Sequence, residues 1–184
     1  MTDSGAFPVG ASVMGEEPVE RLVALDPTAW DDVFARYFDK MRNFAYVRTG
    51  DFHAAEDIAS EVFSSALQSI GGYRRMEAPF SAWLYRIARN RTVDYIRRNQ
   101  RRPQTVSIEG IDVAATGLEG LVDDRSDLMR GLQKLTAEQQ ELIVLRFFND
   151  CSLIEAAAAM KKNVGAIKAL QARAIGSLRR EISR

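Results

Sequence analysis

The sequence has almost none of the residues that build disulfides and zinc sites. Its 184 residues include one cysteine, Cys151, and one histidine, His53. A lone cysteine cannot form an intramolecular disulfide, and one cysteine with one histidine is too few for a zinc site of the usual spacing. We therefore expect Cys151 to be a small residue near a helix junction and His53 to be a polar residue in a first helical turn. We expect no metal, no cofactor and a reduced, cytoplasmic setting.

A long apolar run is also lacking. The first 25 residues contain Glu16, Glu17 and Glu20 and have no basic segment followed by an apolar core, so they make a poor signal peptide. Nothing later approaches the run of about 20 apolar residues that spans a bilayer, so we expect no membrane insertion. The Gly, Pro, Ser and Glu of residues 1–25 indicate a flexible N-terminal tail.

Net charge is absent as well, because Lys+Arg and Asp+Glu each total 25. Taken alone, neutrality argues against nucleic acid. The charges are segregated, however: nine arginines against two acids in 73–102, six acids against one arginine in 103–128, and seven bases against one acid in 160–184. One basic run by itself could be a solvated helix face. Two basic segments joined by an acidic one predict two contacts to a polyanion.

Apolar residues recur at helical spacing over most of the chain, which predicts an all-α fold without strands. Asp26-Pro27 and Asp51 are good helix starts, and a third apolar stripe begins at Phe80. Phe80 and Trp83 continue that stripe and are expected in the core. The spacing predicts a three-helix module over 26–102.

Periodicity fails over 103–127, which we interpret as a flexible acidic linker between two small helical domains. It returns over 128–184, where Thr136–Gln139 and Ser152–Glu155 have the capping-box spacing. Helices are predicted over about 137–148, 153–160 and 164–182. A short helix, a tight turn and a longer helix form the helix-turn-helix arrangement.

Five segments together resemble a known family. They are Ala55–Phe63, Phe80–Asn90 and Asp94–Arg98 in the first module, and Leu132–Phe148 and Gly165–Ala174 in the second. The first three resemble region 2 of the extracytoplasmic-function (ECF) sigma factors, and the last two resemble their region 4. Both modules occur in the expected order. The resemblance implies an alternative sigma factor that binds core RNA polymerase (its β′ and β subunits) and directs promoter recognition and DNA opening.

The resemblance also implies three sets of site residues. The polymerase would contact the acidic residues Glu56, Asp57 and Glu61. The opened −10 element would contact Tyr73, Arg74, Arg75, Arg86, Arg89, Asn90, Arg97 and Arg98. The duplex −35 element would contact Lys161, Lys162, Asn163, Lys168, Gln171 and Arg173. Arginine suits bidentate phosphate or guanine contacts, and Gln171 could read adenine. An anti-sigma factor that covers both modules is a further expected partner.

The second module departs from the family pattern at two places. Lys161-Lys162 occupies a turn where the family often has glycine and an apolar residue, and Asn163 stands where serine is common. Asparagine still caps a helix well. The alanine run 156–159 replaces larger or charged residues, so we expect the supporting helix to pack differently from that of the family. Together these departures affect the exact −35 contacts and not the presence of the module.

Two other functions are compatible with parts of the sequence. A conventional helix-turn-helix regulator would explain 128–184 but would leave the acidic second helix and the basic third helix without a role. A helical enzyme using Glu56, Asp57 and Glu61 would lack a second histidine, a phosphate loop and a metal cluster. We therefore expect no catalytic residues.

Overall fold

The structure, a computed structural model, describes residues 19–74, 78–99 and 125–182. Within these ranges the chain forms α-helices and no strand, in agreement with the all-α prediction. The helices are α1 Val19–Val23, α2 Pro27–Thr49, α3 Phe52–Ser69, α4 Phe80–Asn99, α5 Arg125–Lys134, α6 Ala137–Ile143, α7 Leu153–Met160 and α8 Val164–Ile182. The predicted linker over 103–127 lies outside the described residues as far as residue 124. Helix α5 begins at Arg125, so the last three positions assigned to the linker are helical.

The helix boundaries follow from capping residues that the sequence displays. Asp26 accepts hydrogen bonds from the backbone N–H groups of Thr28 and Ala29, and Pro27 opens α2. Gly50 ends α2 in the left-handed conformation at φ 66°, which glycine adopts without strain. Thr136 and Ser152 each form a complete capping box at the starts of α6 and α7. Each such cap stabilises its helix by about 1 kcal/mol.

Part of the expected N-terminal tail is ordered. Leu22 of α1 is fully buried, and the Trp30 indole N–H donates a hydrogen bond of 3.1 Å to the Leu22 carbonyl. The segment from residue 19 therefore packs on the first module because it supplies an apolar anchor. Residues 1–18 lie outside the described residues.

The first module is built from α2, α3 and α4. Its core contains large aromatic side chains, among them Tyr37, Phe44 and Tyr85, with Met41 and Ile58 between them. Most of the apolar positions expected to face inward on α2 and α3 are buried, but Phe34 and Leu67, which continue those stripes in the sequence, are 46% and 43% exposed.

The second module contains α5 to α8. The helix predicted over 137–148 changes to a π turn at Val144–Phe148, so its last part is wound more loosely than an α-helix. Lys161 ends α7 with φ 53° and ψ 45°, the left-handed geometry at a non-glycine residue. Asn163 then accepts a hydrogen bond of 2.7 Å from the Ala166 N–H at the start of α8. The short helix, turn and longer helix match the predicted helix-turn-helix.

The two modules are packed against each other. Helix α4 contacts α7, and α2 contacts the π turn and α6. Buried apolar residues of both modules form one continuous cluster. The sequence predicted two helical modules but gave no sign of this direct contact.

Candidate nucleic-acid interface

The acidic residues predicted for polymerase binding lie on the outer face of α3. Asp57 and Glu61, one helical turn apart, are exposed, and Glu56 is half-buried. Glu61 Oε2 lies 4.0 Å from Arg98 Nη2, and both side chains are about half exposed or more, at 49% and 63%. An ion pair of this length at the surface stabilises the fold by less than about 1 kcal/mol, so Glu61 remains available to a partner.

Helix α4 carries the first basic surface. Asn90, Arg97 and Arg98 are exposed, whereas Arg86 and Arg89 are half-buried. Arg89 Nε lies 3.2 Å from Glu141 Oε2 of α6, so this guanidinium faces the second module. The residues predicted to contact the −10 element thus divide into an outward group and a pair turned toward the interior.

The loop between α3 and α4 is held by aromatic packing. Tyr73 is only 6% exposed, and its hydroxyl donates a hydrogen bond of 2.8 Å to the Ala78 carbonyl. Its ring lies 5.8 Å from that of Phe80 and 5.2 Å from that of Trp83. Tyr73, predicted as a DNA contact, is therefore placed in the core in this structure. Arg74 is exposed, and Arg75 lies outside the described residues.

A shallow polar groove runs between α3 and α4. Ser65, Gln68, Asn90 and Arg91 are among the residues that line it. Arg91 Nε donates a hydrogen bond of 3.0 Å to Ser65 Oγ. Arg91 was missing from the predicted site although it belongs to the same arginine block, and its position beside Asn90 places it on the same surface.

Helix α8 carries the second basic surface. Its inward stripe is Ile167, Leu170, Ala174 and Leu178, as predicted. Lys168 and Arg173 are exposed on the outer side, and so is Lys161 in the preceding turn. Lys162 pairs with Glu138 at 3.1 Å, and Asn163 caps the helix.

Gln171 differs from its neighbours on α8. It is half-buried, and its Oε1 accepts a hydrogen bond of 3.2 Å from Arg146 Nε of the π turn. Arg146 also donates to the Cys151 carbonyl. The amide oxygen of Gln171 is therefore hydrogen-bonded to Arg146 within the second module, and the sequence did not predict this contact.

Two titratable groups at the contact between modules, Glu141 and Arg48, also escaped prediction. The pKa of Glu141 is raised by burial, an effect that the nearby Arg89 and Arg48 only partly offset. Burial lowers the pKa of Arg48. Burial also raises the pKa of Cys151 to about 12. Cys151 is fully buried beside Tyr85, as its expected structural role requires.

Neither a metal site nor a membrane span is evident in the described part of the chain. There, no three His, Cys, Asp or Glu side chains are grouped closely enough to hold a metal ion. Likewise, none of the helices described there has the length and apolar character to cross a membrane.

Two family models match the chain, one on each module. The model described as Sigma-70 region 2 matches residues 33–102, and that described as Sigma-70, region 4 matches residues 131–180. Together they cover more than half of the sequence. The chain belongs to the ECF group of the sigma-70 family of RNA polymerase sigma factors, which are transcription regulators.

Relatives resemble the chain over most of its length. It is 35% identical to the ECF RNA polymerase sigma factor BldN of Streptomyces coelicolor, covering 89% of this chain and 64% of BldN. It is 28% identical to the ECF RNA polymerase sigma factor SigW of Bacillus subtilis, covering 92% of this chain and 97% of SigW. The sigma factor RpoE of Bartonella quintana, solved with the anti-sigma factor NepR, shares the fold with a TM-score of 0.67. Its identity is 24%, and the match covers 83% of this chain and 96% of that one.

Proposed function

We propose that the chain is an alternative sigma factor that docks on core RNA polymerase through α3 and on promoter DNA through α4 and α8. The acidic face of α3 would meet the β′ subunit, with the β subunit as a second contact. The basic surface of α4 would hold the opened −10 strand, and α8 would enter the major groove of the −35 element. In this assignment the protein catalyses no reaction of its own and works in the cytoplasm.

The observation that supports this proposal most strongly is the separation of the charged surfaces. Asp57 and Glu61 are exposed on α3, Arg97 and Arg98 on α4, and Lys168 and Arg173 on α8. In each helix the opposite face is buried in the core. Each charged face is therefore presented outward on a rigid helix, one suited to a basic partner and two suited to DNA phosphates.

The direct test is run-off transcription with purified core polymerase on a library of genomic fragments. We expect discrete transcripts that depend on the added protein, and their start sites define the −10 and −35 elements. Specific binding to duplex DNA without any transcript would instead favour the helix-turn-helix regulator.

Charge variants test each surface separately. Asp57→Lys is expected to weaken binding to core polymerase without changing binding to promoter oligonucleotides. Glu20→Lys makes the same charge change at an exposed residue of α1 and serves as the matched control. Equal loss of polymerase affinity in both variants would show that net charge, not the face of α3, controls docking.

Regulation by an anti-sigma factor follows from the same arrangement. A protein that covered α3, α4 and α8 together would block all three proposed contacts at once. The test is copurification of the native chain from cells, followed by transcription with and without the recovered partner. Recovery of fully active protein with no inhibitor bound would argue against this part of the proposal.

A further inference from the structure

The contact between the two modules contains paired polar groups as well as apolar ones. Lys40 Nζ donates to the Asn149 carbonyl at 3.3 Å, and Asn149 Nδ2 donates to the Lys40 carbonyl at 3.2 Å. Ser81 Oγ of α4 donates to Glu155 Oε1 of α7 at 2.8 Å. Asn149 is fully buried, and Ser81 is 3% exposed. Directional bonds at buried positions define a specific arrangement of the modules.

At one end of this contact a carboxylate faces two arginines. The Glu141 side chain is 4% exposed and lies 3.2 Å from Arg89 Nε. Arg48 of α2 interacts with the same carboxylate electrostatically. Glu141 belongs to the second module and both arginines belong to the first, so the charges are complementary across the contact.

Arg89 therefore has two possible partners. It lies in the arginine-rich segment of α4, eight residues before Arg97, and is a proposed contact for the −10 strand. In this structure its guanidinium is turned to a carboxylate, an anion of the kind that a DNA phosphate also provides. The Nε–H group that points to Glu141 cannot also point to a DNA phosphate in the same side-chain conformation.

We propose that Glu141 is an internal competitor for the −10 strand: it engages Arg89 in a closed form of the protein and is displaced when DNA binds and the modules separate. This inference rests on the proposed function, because it takes Arg89 as a DNA contact. When the modules separate, Glu141 and Arg89 both regain water, so opening leaves no unpaired buried charge. DNA that binds the open form better shifts the population toward it.

Isosteric removal of the charge tests the competition. The probe is a fluorescein-labelled single-stranded oligonucleotide pool of mixed sequence, and the readout is anisotropy at low salt. Glu141→Gln is expected to bind at least about fivefold more tightly than wild type, the lower end of typical coupling between sites. Glu20→Gln is the matched control, because it removes the same charge at an exposed residue of α1 that lies outside all the proposed DNA contacts. Equal affinities of the two variants would overturn the competitor role.

A second measurement follows the closed form without DNA. Small-angle X-ray scattering is expected to give a larger radius of gyration for Glu141→Gln than for Glu20→Gln. Ser81→Ala removes only the hydrogen bond to Glu155 and is also expected to increase the radius of gyration. It replaces Glu141→Gln in this measurement if that variant fails to fold. Unchanged radii in both interface variants would overturn the link between this contact and closure.

A double variant separates this inference from the proposed function. With Arg89→Ala already present, Glu141→Gln should no longer raise the affinity for the oligonucleotide pool. If Glu141→Gln still raised the affinity in the Arg89→Ala background, Glu141 would act by general charge repulsion of DNA. That result would overturn the proposal that Glu141 and DNA compete for Arg89. If the wild-type protein gave no run-off transcript with core polymerase, the proposed function would be contradicted instead. Failure of the competition and failure of the proposed function are therefore distinguishable.

Discussion

Replacing Tyr73 by phenylalanine tests whether the loop before α4 is anchored from within. The hydroxyl donates to the Ala78 carbonyl at 2.8 Å in a buried setting, and the ring packs beside Phe80 and Trp83. Tyr73→Phe keeps the ring contacts and removes the hydrogen bond alone. Leaving a buried carbonyl without this partner costs about 1–2 kcal/mol of unfolding free energy.

The effect is measurable by urea unfolding and by thermal melting. For a chain of this size, each kcal/mol lowers Tm by about 2–4 °C. Tyr73→Ala also removes the buried ring and should cost about 3–5 kcal/mol. Tyr95→Phe removes a hydroxyl from a half-buried tyrosine of the same module and is the matched control.

The result that would refute this reasoning is a Tyr73→Phe variant as stable as wild type. In that case Tyr73 would not be held inside the loop in solution, and its side chain would be available to stack on an extruded base. Promoter opening, followed by 2-aminopurine fluorescence in the −10 strand, then separates the roles. A stacking role predicts that Tyr73→Phe opens DNA normally while Tyr73→Ala does not.

Three further predictions concern other parts of the molecule. Lys168→Ala should weaken duplex promoter binding and reduce the slope of log affinity against log salt by about one if its ammonium contacts a phosphate, while Lys134→Ala on α5 leaves that slope unchanged. Ser152→Ala should lower the unfolding free energy by about 1 kcal/mol because it removes the cap of α7, and an unchanged urea midpoint would contradict this. Burial raises the pKa of Cys151 from 9.0 to about 12. The contribution of the protonated thiol to the unfolding free energy is therefore complete below pH 9 and is lost as the pH rises toward 12. The loss at pH 10 is on the order of 1 kcal/mol, and Cys151→Ala should therefore show a shallower decline of unfolding free energy between pH 8 and pH 10.

Local features of this fold were predictable because their causes are local. Asp26, Asp51, Thr136 and Ser152 each cap the helix that follows within three residues, so the signal and the structure lie side by side. The helical apolar stripes are similarly local. The charge on the outer faces could be read from the sequence once those stripes were assigned.

The contact between modules could not be predicted in this way. Lys40 and Asn149 are separated by 109 residues, and neither residue type suggests the other. Glu141 is one of two glutamates in the short helix α6, and only tertiary packing makes it a buried partner of Arg89. Gln171 shows the same limit, because its side chain is held by Arg146, which lies 25 residues earlier in the chain.

The alanine-rich α7 lies between α4 of one module and α8 of the other. Ala156, Ala157 and Ala159 are all buried, which leaves this helix little surface that a larger side chain could occupy freely. Sequence change in α7, which supports α8, is therefore restricted by α4, a helix of the other module. The two helices that we propose contact promoter DNA, α4 and α8, are consequently expected to evolve as one unit.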